Sequence, residues 1–329
     1  MNILLTGGAG FIGSHIAENL IQEKKVKKII IIDHLKDGSI KNLKNIMKNK
    51  KIKFVKQDIK NTKKIIKFFK NINCVIHLAA LSDIVPSIEE PYEYLNNNIM
   101  GTVSILECMR AHRVKRIIYS ASSSCYGISS RTPTTENSKI DTQYPYAFSK
   151  YAGELVIKHW SKVYGINYIS LRLFNVYGTR SRTHGAYGAA LGVFIRQKIA
   201  KKPLTIVGNG KQKRDFVNVV DVAEVFKRSI FSKNKNEVFN IGSSKPKSVN
   251  QLAKLISDKK IFIPKRPGEP FVTHASIKKI KKKLNWFPKI NFEDGVKTLL
   301  KDINYWKDAT LWDKRKIQKA TKIWFKYLK

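Results

Sequence analysis

Short apolar runs alternate with amphipathic stretches along the first half of the chain. Runs rich in Ile, Val and Leu predict buried strands, and the stretches between them carry apolar residues at helical spacing. The predicted strands are 2–6, 28–32, 52–55, 74–80 and 116–120, and the predicted helices are 14–20, 61–70, 91–112 and 147–162. This alternation predicts an α/β fold with a doubly wound parallel (Rossmann) sheet, whose ligands bind at the carboxyl ends of the strands.

A glycine turn joins the first strand to the first helix. Gly7 and Gly10 allow a tight turn and close approach to a pyrophosphate, and Gly13 allows the helix to pack closely on the strand. Asp33 ends the second strand, about 20 residues further on, where an acid binds the ribose hydroxyls of a dinucleotide. No arginine follows Asp33 to hold a 2'-phosphate, so the sequence predicts NAD rather than NADP.

A phenol and an ammonium lie four residues apart at the predicted start of the helix 147–162. Tyr146 and Lys150 share one face of that helix, so the ammonium is expected to lower the pKa of the phenol. Tyr146 would then act as a base near neutral pH. Tyr and Lys at this spacing usually decorate an exposed helix face, and the interpretation depends on the serines that follow the strand 116–120.

The serine cluster at this strand end lies where it can meet Tyr146, and it comprises Ser120, Ser122, Ser123 and Ser124. Together with the glycine turn, Asp33, Asp58-Ile59, His77-Leu-Ala-Ala80, Asn98-Ile-Met-Gly-Thr102 and the Tyr146/Lys150 pair, it resembles the extended short-chain dehydrogenases/reductases. Within that superfamily the chain is similar to UDP-hexose and UDP-N-acetylhexosamine 4-epimerases over roughly residues 1 to 300.

The resemblance implies a catalytic set of Ser122, Tyr146 and Lys150 and a tightly bound NAD that is regenerated in every cycle. It implies cofactor contacts from Gly7, Gly10, Phe11, Ile12, Gly13, Asp33, His34, Gly38, Asp58, Ile59, Leu78, Ala79, Ala80, Asn98, Ser120, Tyr146 and Lys150. It implies nucleotide-sugar contacts from Ser122, Ser124, Tyr146, Asn175, Ala189, Ala190, Arg214, Arg266, Glu269 and Thr273. No metal is expected.

The same resemblance divides the chain into domains. We expect an NAD-binding Rossmann domain of residues 1–172 plus about 216–242, and a smaller nucleotide-sugar-binding domain of about 173–215 plus 243–300. We expect residues 301–329 to form a helical hairpin, with Trp306, Trp312 and Trp324 in the core or at a subunit contact rather than in a cofactor site. The polar segment 179–188 is either a mobile lid or an ordinary loop.

The expected reaction is inversion of C4 of a UDP-hexose through a 4-keto intermediate. Dehydratases of the superfamily carry an Asp-Glu pair where this chain has Ser123 and Ser124, and related decarboxylases carry an acid there, so neither reaction is favoured. Thr273 is smaller than the tyrosine that excludes N-acetyl sugars in related epimerases, which favours UDP-GlcNAc/UDP-GalNAc beside UDP-glucose/UDP-galactose. Alternatives are an epimerase acting on UDP-glucuronate or a CDP- or GDP-sugar, and a nonenzymatic NAD-binding sensor.

Charge and cysteines add few constraints. The 329 residues carry 63 Lys+Arg against 24 Asp+Glu, a net charge of +39, but the lysines are scattered rather than gathered on one face, so we expect no specific nucleic-acid partner. Cys74, Cys108 and Cys125 lack metal-ligand spacing and are expected to be buried. No apolar stretch would span a membrane, and the expected location is the cytoplasm. Apolar residues on the helices 91–112 and 147–162 (Ile105, Leu106, Met109, Leu155, Val156 and Trp160) predict a homodimer through a four-helix bundle.

Overall fold

The computed structural model describes residues 1–129, 131–184 and 190–328. The strands are β1 (Asn2–Thr6), β2 (Lys28–Asp33), β3 (Ile52–Lys56), β4 (Cys74–His77), β5 (Arg116–Ser122), β6 (Asn167–Leu173), β7 (Asn175–Tyr177), β8 (Leu204–Val207), β9 (Lys213–Arg214), β10 (Phe216–Asn218), β11 (Glu237–Ile241), β12 (Lys247–Ser248) and β13 (Lys260–Ile263). Seven of them form one parallel sheet in the order β11-β6-β5-β4-β1-β2-β3. This order confirms the predicted doubly wound α/β fold.

Helices cover both faces of the sheet. They are α1 (Phe11–Ile21), α2 (Thr62–Ile65), α3 (Ile84–Glu89), α4 (Pro91–Leu95), α5 (Gly101–Ala111), α6 (Pro145–Tyr164), α7 (Ala190–Ile199), α8 (Val219–Phe231), α9 (Val249–Ile256), α10 (Lys278–Leu284), α11 (Phe292–Lys301) and α12 (Lys314–Tyr327). A π-helical turn, Asn96–Met100, joins α4 to α5, so the predicted helix 91–112 is continuous. The predicted strand 74–80 is shorter, because β4 ends at His77 and the chain then turns past Gly7.

Two apolar clusters fill the two faces of the large sheet, and a third forms a separate core. The third contains residues of α7, β8, α9 and α11 together with Trp306 and Ile317. Three two-stranded sheets, β10-β7, β12-β9 and β13-β8, frame this smaller region. Ile280 and Trp286 pack into the core of the large sheet, although the domain division expected them in the smaller domain.

The C-terminal extension is not a helical hairpin. Between residues 301 and 328 there is one 3-10 turn, Ile303–Trp306, and one α-helix, α12, whose start is capped by the Asp313 side chain accepting from the Lys316 amide. Trp306 and Trp324 are each 2% exposed, so both pack inside the protein. Trp306 and Trp312 also line the cavity that contains the predicted cofactor residues, so their assignment away from the cofactor site is not confirmed. The three cysteines are buried and free, as expected.

The predicted subunit surface needs one correction. Ile105, Leu106 and Met109 are fully buried beneath the sheet, because this face of α5 is needed to cover it. These three residues offer nothing to a second chain. Leu155 on α6 is 45% exposed, and Met100, Phe148 and Val163 on the same two helical segments are also exposed.

Candidate active site

A cavity of about 440 Å³ opens at the carboxyl ends of the parallel strands. Its walls include most of the predicted cofactor residues: Gly7, Gly10, Phe11, Ile12, Gly13, Asp33, His34, Gly38, Ile59, Leu78, Ala79, Ala80, Ser120, Tyr146 and Lys150. Two predicted residues lie elsewhere. Asp58 accepts from the Lys60 amide outside this cavity, and Asn98 is buried behind the wall, where it is hydrogen-bonded to both backbone groups of Leu81.

The glycine turn has the shape that a dinucleotide requires. Gly7 has φ +70°, and a Cβ atom there would lie 2.7 Å from the Ala79 amide nitrogen. A Cβ atom at Gly13 would lie 2.2 Å from the Gly7 carbonyl oxygen. Gly10 precedes the first residue of α1, so the amides of the helix N-terminus face the cavity. These residues fit a pyrophosphate, since backbone rather than side chain lines the turn.

Asp33 is held in place at the end of β2. Its Oδ2 accepts from the Ala9 amide at 3.0 Å and its Oδ1 accepts from the Leu35 amide at 2.8 Å. The neighbouring His34 has a raised pKa, chiefly because its imidazole hydrogen-bonds to the Asp33 carboxylate. A carboxylate fixed by two backbone amides keeps lone pairs for ribose hydroxyls, which agrees with the predicted role of this acid.

Tyr146 and Lys150 both line the cavity, from the first turns of α6. Burial lowers the pKa of Lys150 to about 7, and its ammonium lies 4.4 Å from the centroid of the Tyr119 ring. The predicted lowering of the Tyr146 pKa is wrong for the protein without ligand. Burial raises that pKa, and the opposing contribution is a hydrogen bond with Ser122 rather than the charge of Lys150.

A hydrogen-bonded series links Tyr146 to a residue that the sequence analysis missed. Ser122 bonds Tyr146, the Ser122 and Ser124 hydroxyls lie 2.7 Å apart, and Ser124 bonds Tyr144. The rings of Tyr144 and Tyr146 stack with 6.4 Å between centroids and 6° between planes. The only sequence signal for Tyr144 was its position immediately before Pro145, at the cap of α6.

A second group of predicted substrate residues lies outside the cavity. Its members are Asn175, Arg214, Arg266, Glu269 and Thr273. The Thr273 hydroxyl accepts from the Asp215 amide at 3.1 Å and donates to the Asn175 side chain at 3.2 Å. The two Glu269 oxygens pair separately, with Arg266 at 2.8 Å and with Arg214 at 3.5 Å. We call Arg214, Arg266 and Glu269 the arginine cluster.

Two predicted contacts near α7 stand apart. Ala190 is the first residue of α7 and packs against the smaller core, and Ala189 lies outside the described residues. Most of the predicted lid segment is described. The His15 Nε2 donates to the Thr179 carbonyl at 3.0 Å, and Arg180 pairs with Glu18.

Arg182 ties this segment to two other parts of the cavity wall. Its guanidinium pairs with Asp37, after β2, and with Asp83, before α3. The three side chains line the cavity, and beyond them it continues to Gly192, Val193, Trp306, Thr310 and Trp312. Burial opposes the charge of Arg182, but the two carboxylates raise its pKa overall. These ion pairs were not predicted from the sequence, although the segment 179–188 that contains Arg182 was considered as a lid.

The fold, the glycine turn and the Tyr146/Lys150 pair define an NAD-dependent enzyme of the Rossmann class, and comparison with known proteins gives its family. The model of the NAD dependent epimerase/dehydratase family matches residues 3–242, and the chain belongs to this family. NAD is therefore its cofactor, and a nucleotide-sugar epimerase its class of enzyme.

Individual relatives agree with this assignment. A UDP-glucuronate 4-epimerase of Thermodesulfobacterium geofontis is 34% identical over 309 residues, with 89% of this chain and 93% of the relative covered. The solved structure of a UDP-glucose 4-epimerase from Thermotoga maritima with UDP-glucose has a TM-score of 0.85 at 32% identity, covering 93% of this chain and 99% of that one.

A third relative is named for a different substrate. The structure of the UDP-N-acetylglucosamine 4-epimerase of Methanobrevibacter ruminantium, solved with UDP-N-acetylmuramic acid, has a TM-score of 0.85 at 32% identity. The match covers 92% of this chain and 98% of that one.

In the described part of this chain, no helix is both long and apolar enough to cross a membrane.

Proposed function

We propose that the protein is a 4-epimerase of UDP-hexoses. The observation that carries the proposal is the series of Tyr146, Ser122 and Ser124 hydroxyls at the wall of the cofactor cavity. Among the described residues, the acids that line this cavity are Asp33, Asp37 and Asp83. Asp33 is bound by backbone amides, and Asp37 and Asp83 are paired with Arg182, so all three carboxylates are already engaged and none is free to drive elimination of water.

The chemistry assigned to this site is a reversible oxidation at C4. NAD, when bound, supplies the acceptor for the C4 hydride and later its donor. Tyr146 in its phenolate form would take the proton of the C4 hydroxyl while the C4–H bond breaks, which leaves a ketone. After the keto sugar turns over, Tyr146 would return the proton to the carbonyl oxygen, and reduction at the opposite face of C4 would give the inverted sugar. Ser122, which is hydrogen-bonded to Tyr146, holds the C4 hydroxyl in position.

The sugar is proposed to be UDP-GlcNAc/UDP-GalNAc as well as UDP-glucose/UDP-galactose. Thr273 supports this, because its hydroxyl is turned towards Asn175 and Asp215 and its side chain is far smaller than tyrosine. If Thr273 lies beside the C2 substituent, Thr273→Tyr removes activity on UDP-GlcNAc and keeps activity on UDP-glucose. A greater loss of activity on UDP-GlcNAc than on UDP-glucose would support Thr273 as the residue that selects the sugar. An unchanged ratio of the two rates would reject that role.

The test of the function is a panel of nucleotide sugars incubated with purified protein and no added cofactor, with products identified by NMR. We expect the C4 epimer of UDP-glucose or UDP-GlcNAc. Conversion of UDP-glucuronate or of a CDP- or GDP-sugar alone would support the alternative epimerases. No conversion of any sugar, with NAD bound, would favour the nonenzymatic sensor.

The protein is proposed to form a homodimer whose subunits meet through α4, α5 and α6. It is also proposed to be located in the cytoplasm and to supply sugars for polysaccharide biosynthesis. The exposed apolar side chains of Met100, Phe148, Leu155 and Val163 support the pairing of these helices. Light scattering is expected to give twice the mass of the chain, and Leu155→Glu with Val163→Glu is expected to give the monomer mass. A monomer in the unmodified protein at micromolar concentration would contradict this.

The domain boundaries are also proposals. The separate core of the smaller region supports a second domain within 173–215 and 243–300. The packing of Ile280 and Trp286 on the large sheet supports moving the segment around α10 to the NAD-binding domain.

A further inference from the structure

The helix α12 lies beyond the part of the chain that resembles the epimerases. That resemblance ends near residue 300, and the relatives are matched over almost their whole length by most, but not all, of this chain. α12 carries six Lys and Arg residues and no acid.

α12 bridges the two regions of the molecule. Ile317 packs into the smaller core, while the helix contacts α3 beside the large sheet. Near its end, the Trp324 indole nitrogen donates to the Pro267 carbonyl at 2.7 Å. The helix thus lies across the boundary at which a nucleotide sugar would reach Tyr146.

Trp324 covers both the arginine cluster and the stacked tyrosines. The Arg266 guanidinium carbon lies 5.3 Å from the Trp324 ring centroid, and the Tyr144 ring lies 6.2 Å from it. Tyr144 stacks in turn on Tyr146. Rings at these separations are in direct contact, so no ligand group can lie between Trp324 and either neighbour.

The charged groups of the arginine cluster are also paired within the protein. Glu269 gives one carboxylate oxygen to each arginine, and the Arg214 guanidinium donates to the Pro270 carbonyl at 2.9 Å. A diphosphate would need the same donors, since paired guanidinium groups match its oxygens. While these pairings hold, the guanidinium donors that Glu269 uses are not available to a diphosphate.

We propose that α12 is a cover over the diphosphate site, and that a nucleoside diphosphate binds by displacing Trp324 from Arg266 and Tyr144. This rests on the proposed function, because that function assigns the diphosphate to the arginine cluster. The ligand binds only the uncovered fraction of the protein, so its apparent dissociation constant is the intrinsic one divided by that fraction. Removing the contacts of Trp324 must then strengthen binding.

The test uses UDP and the NAD-loaded protein, with affinity measured by calorimetry. Trp324→Ala is expected to bind UDP at least about threefold more tightly than the unmodified protein, since it raises the uncovered fraction. Phe325→Ala is the matched control, because Phe325 is the next residue of the same helix and is 46% exposed. It is expected to bind UDP as the unmodified protein does.

A second measurement needs no variant. Amide hydrogen exchange in α12 is expected to speed up when UDP binds the unmodified protein, because displacement opens the helix contacts. Slower exchange would mean that α12 closes on the ligand. Unchanged exchange would mean that α12 does not move. Either result overturns the proposal that α12 is a cover.

The outcomes separate the two proposals. Equal or weaker UDP binding by Trp324→Ala overturns the cover and leaves the epimerase intact, with weaker binding making Trp324 a ligand contact. Absence of UDP binding to both proteins overturns the cover and the proposed function together, because the arginine cluster then takes no diphosphate.

Discussion

The two ligand regions of this protein are built in different ways. The NAD region is an open cavity whose shape comes from backbone, with Gly7 and Gly13 admitting no side chain and Asp33 fixed by two amides. The proposed nucleotide-sugar region is made of long charged side chains that pair with one another, and one of them, Arg266, lies against the Trp324 ring. The first region has the backbone shape that its ligand needs, while the second, under the cover proposed above, exchanges contacts within the protein for contacts with the ligand.

The comparison is sharpest at Tyr146, which lies between the two regions. Tyr146→Phe is expected to lower the rate of epimerisation about 10²- to 10⁴-fold, because it removes a positioned base. NAD content after purification should not change. Tyr164→Phe, in the last turn of the same helix and 39% exposed, serves as the control. A Tyr146→Phe rate within threefold of the unmodified enzyme would remove Tyr146 from the mechanism.

A substitution in one of the two regions should weaken the binding of that region's ligand and leave the binding of the other ligand unchanged. Arg214→Ala is expected to weaken UDP-sugar binding about 10- to 100-fold, since a hydrogen bond to a charged group contributes about 1.5–3 kcal/mol. Its NAD retention should match that of the unmodified protein. Asp33→Ala should show the reverse, losing NAD on gel filtration.

The control for Arg214→Ala is Arg110→Ala, which removes an exposed arginine paired with Glu107 at 2.7 Å. It should change neither affinity. Loss of both ligands in Arg214→Ala would show that the two regions do not act separately.

Lys150 gives a smaller effect that depends on pH. Its pKa is about 7 in the folded protein and about 10.4 when unfolded, so the unfolded state binds more protons between these values. The contribution of Lys150 to stability therefore rises with pH above about 7. Without NAD, Lys150→Met should have the higher free energy of unfolding at pH 6, by a margin that narrows towards pH 9. Denaturant titrations check this, and a constant margin would contradict the depressed pKa.

The smallest expected effect concerns the net charge of +39. Scattered lysines should bind nucleic acid at low salt by counterion release, with no preference for sequence. Fluorescence anisotropy with two unrelated duplexes should give equal affinities that vanish by physiological salt. Sequence-selective binding that survived there would return the nonenzymatic sensor to consideration.

The sequence predicted the NAD region because its signals are local. Gly7, Gly10 and Gly13 lie within one turn, Asp33 ends the next strand, and parallel strands bring their carboxyl ends to one edge. Asn98 was misplaced because a motif does not say whether a side chain faces the cavity or the loop behind it. The sheet was predictable for the same reason, since hydrophobic periodicity is a property of neighbouring residues.

The nucleotide-sugar region was less predictable because its members come from distant segments. The spacing of Arg214, Glu269 and Trp324 in the sequence says nothing of their contacts, which depend on how loops and the final helix pack. The ion pairs of Arg182 were missed for this reason as well. The direction of the Tyr146 pKa shift was wrong because a sequence pattern gives neighbours but not burial.

The central claim is that hydride leaves C4 and returns to it within one cycle on a retained cofactor. UDP-glucose or UDP-GlcNAc labelled with deuterium at C4, incubated with the purified protein without added NAD, tests it directly. The account predicts a C4 epimer that keeps its deuterium at C4, as read by NMR. An epimer whose C4 deuterium had exchanged with solvent, or one formed only when NAD was supplied in stoichiometric amount, would contradict it.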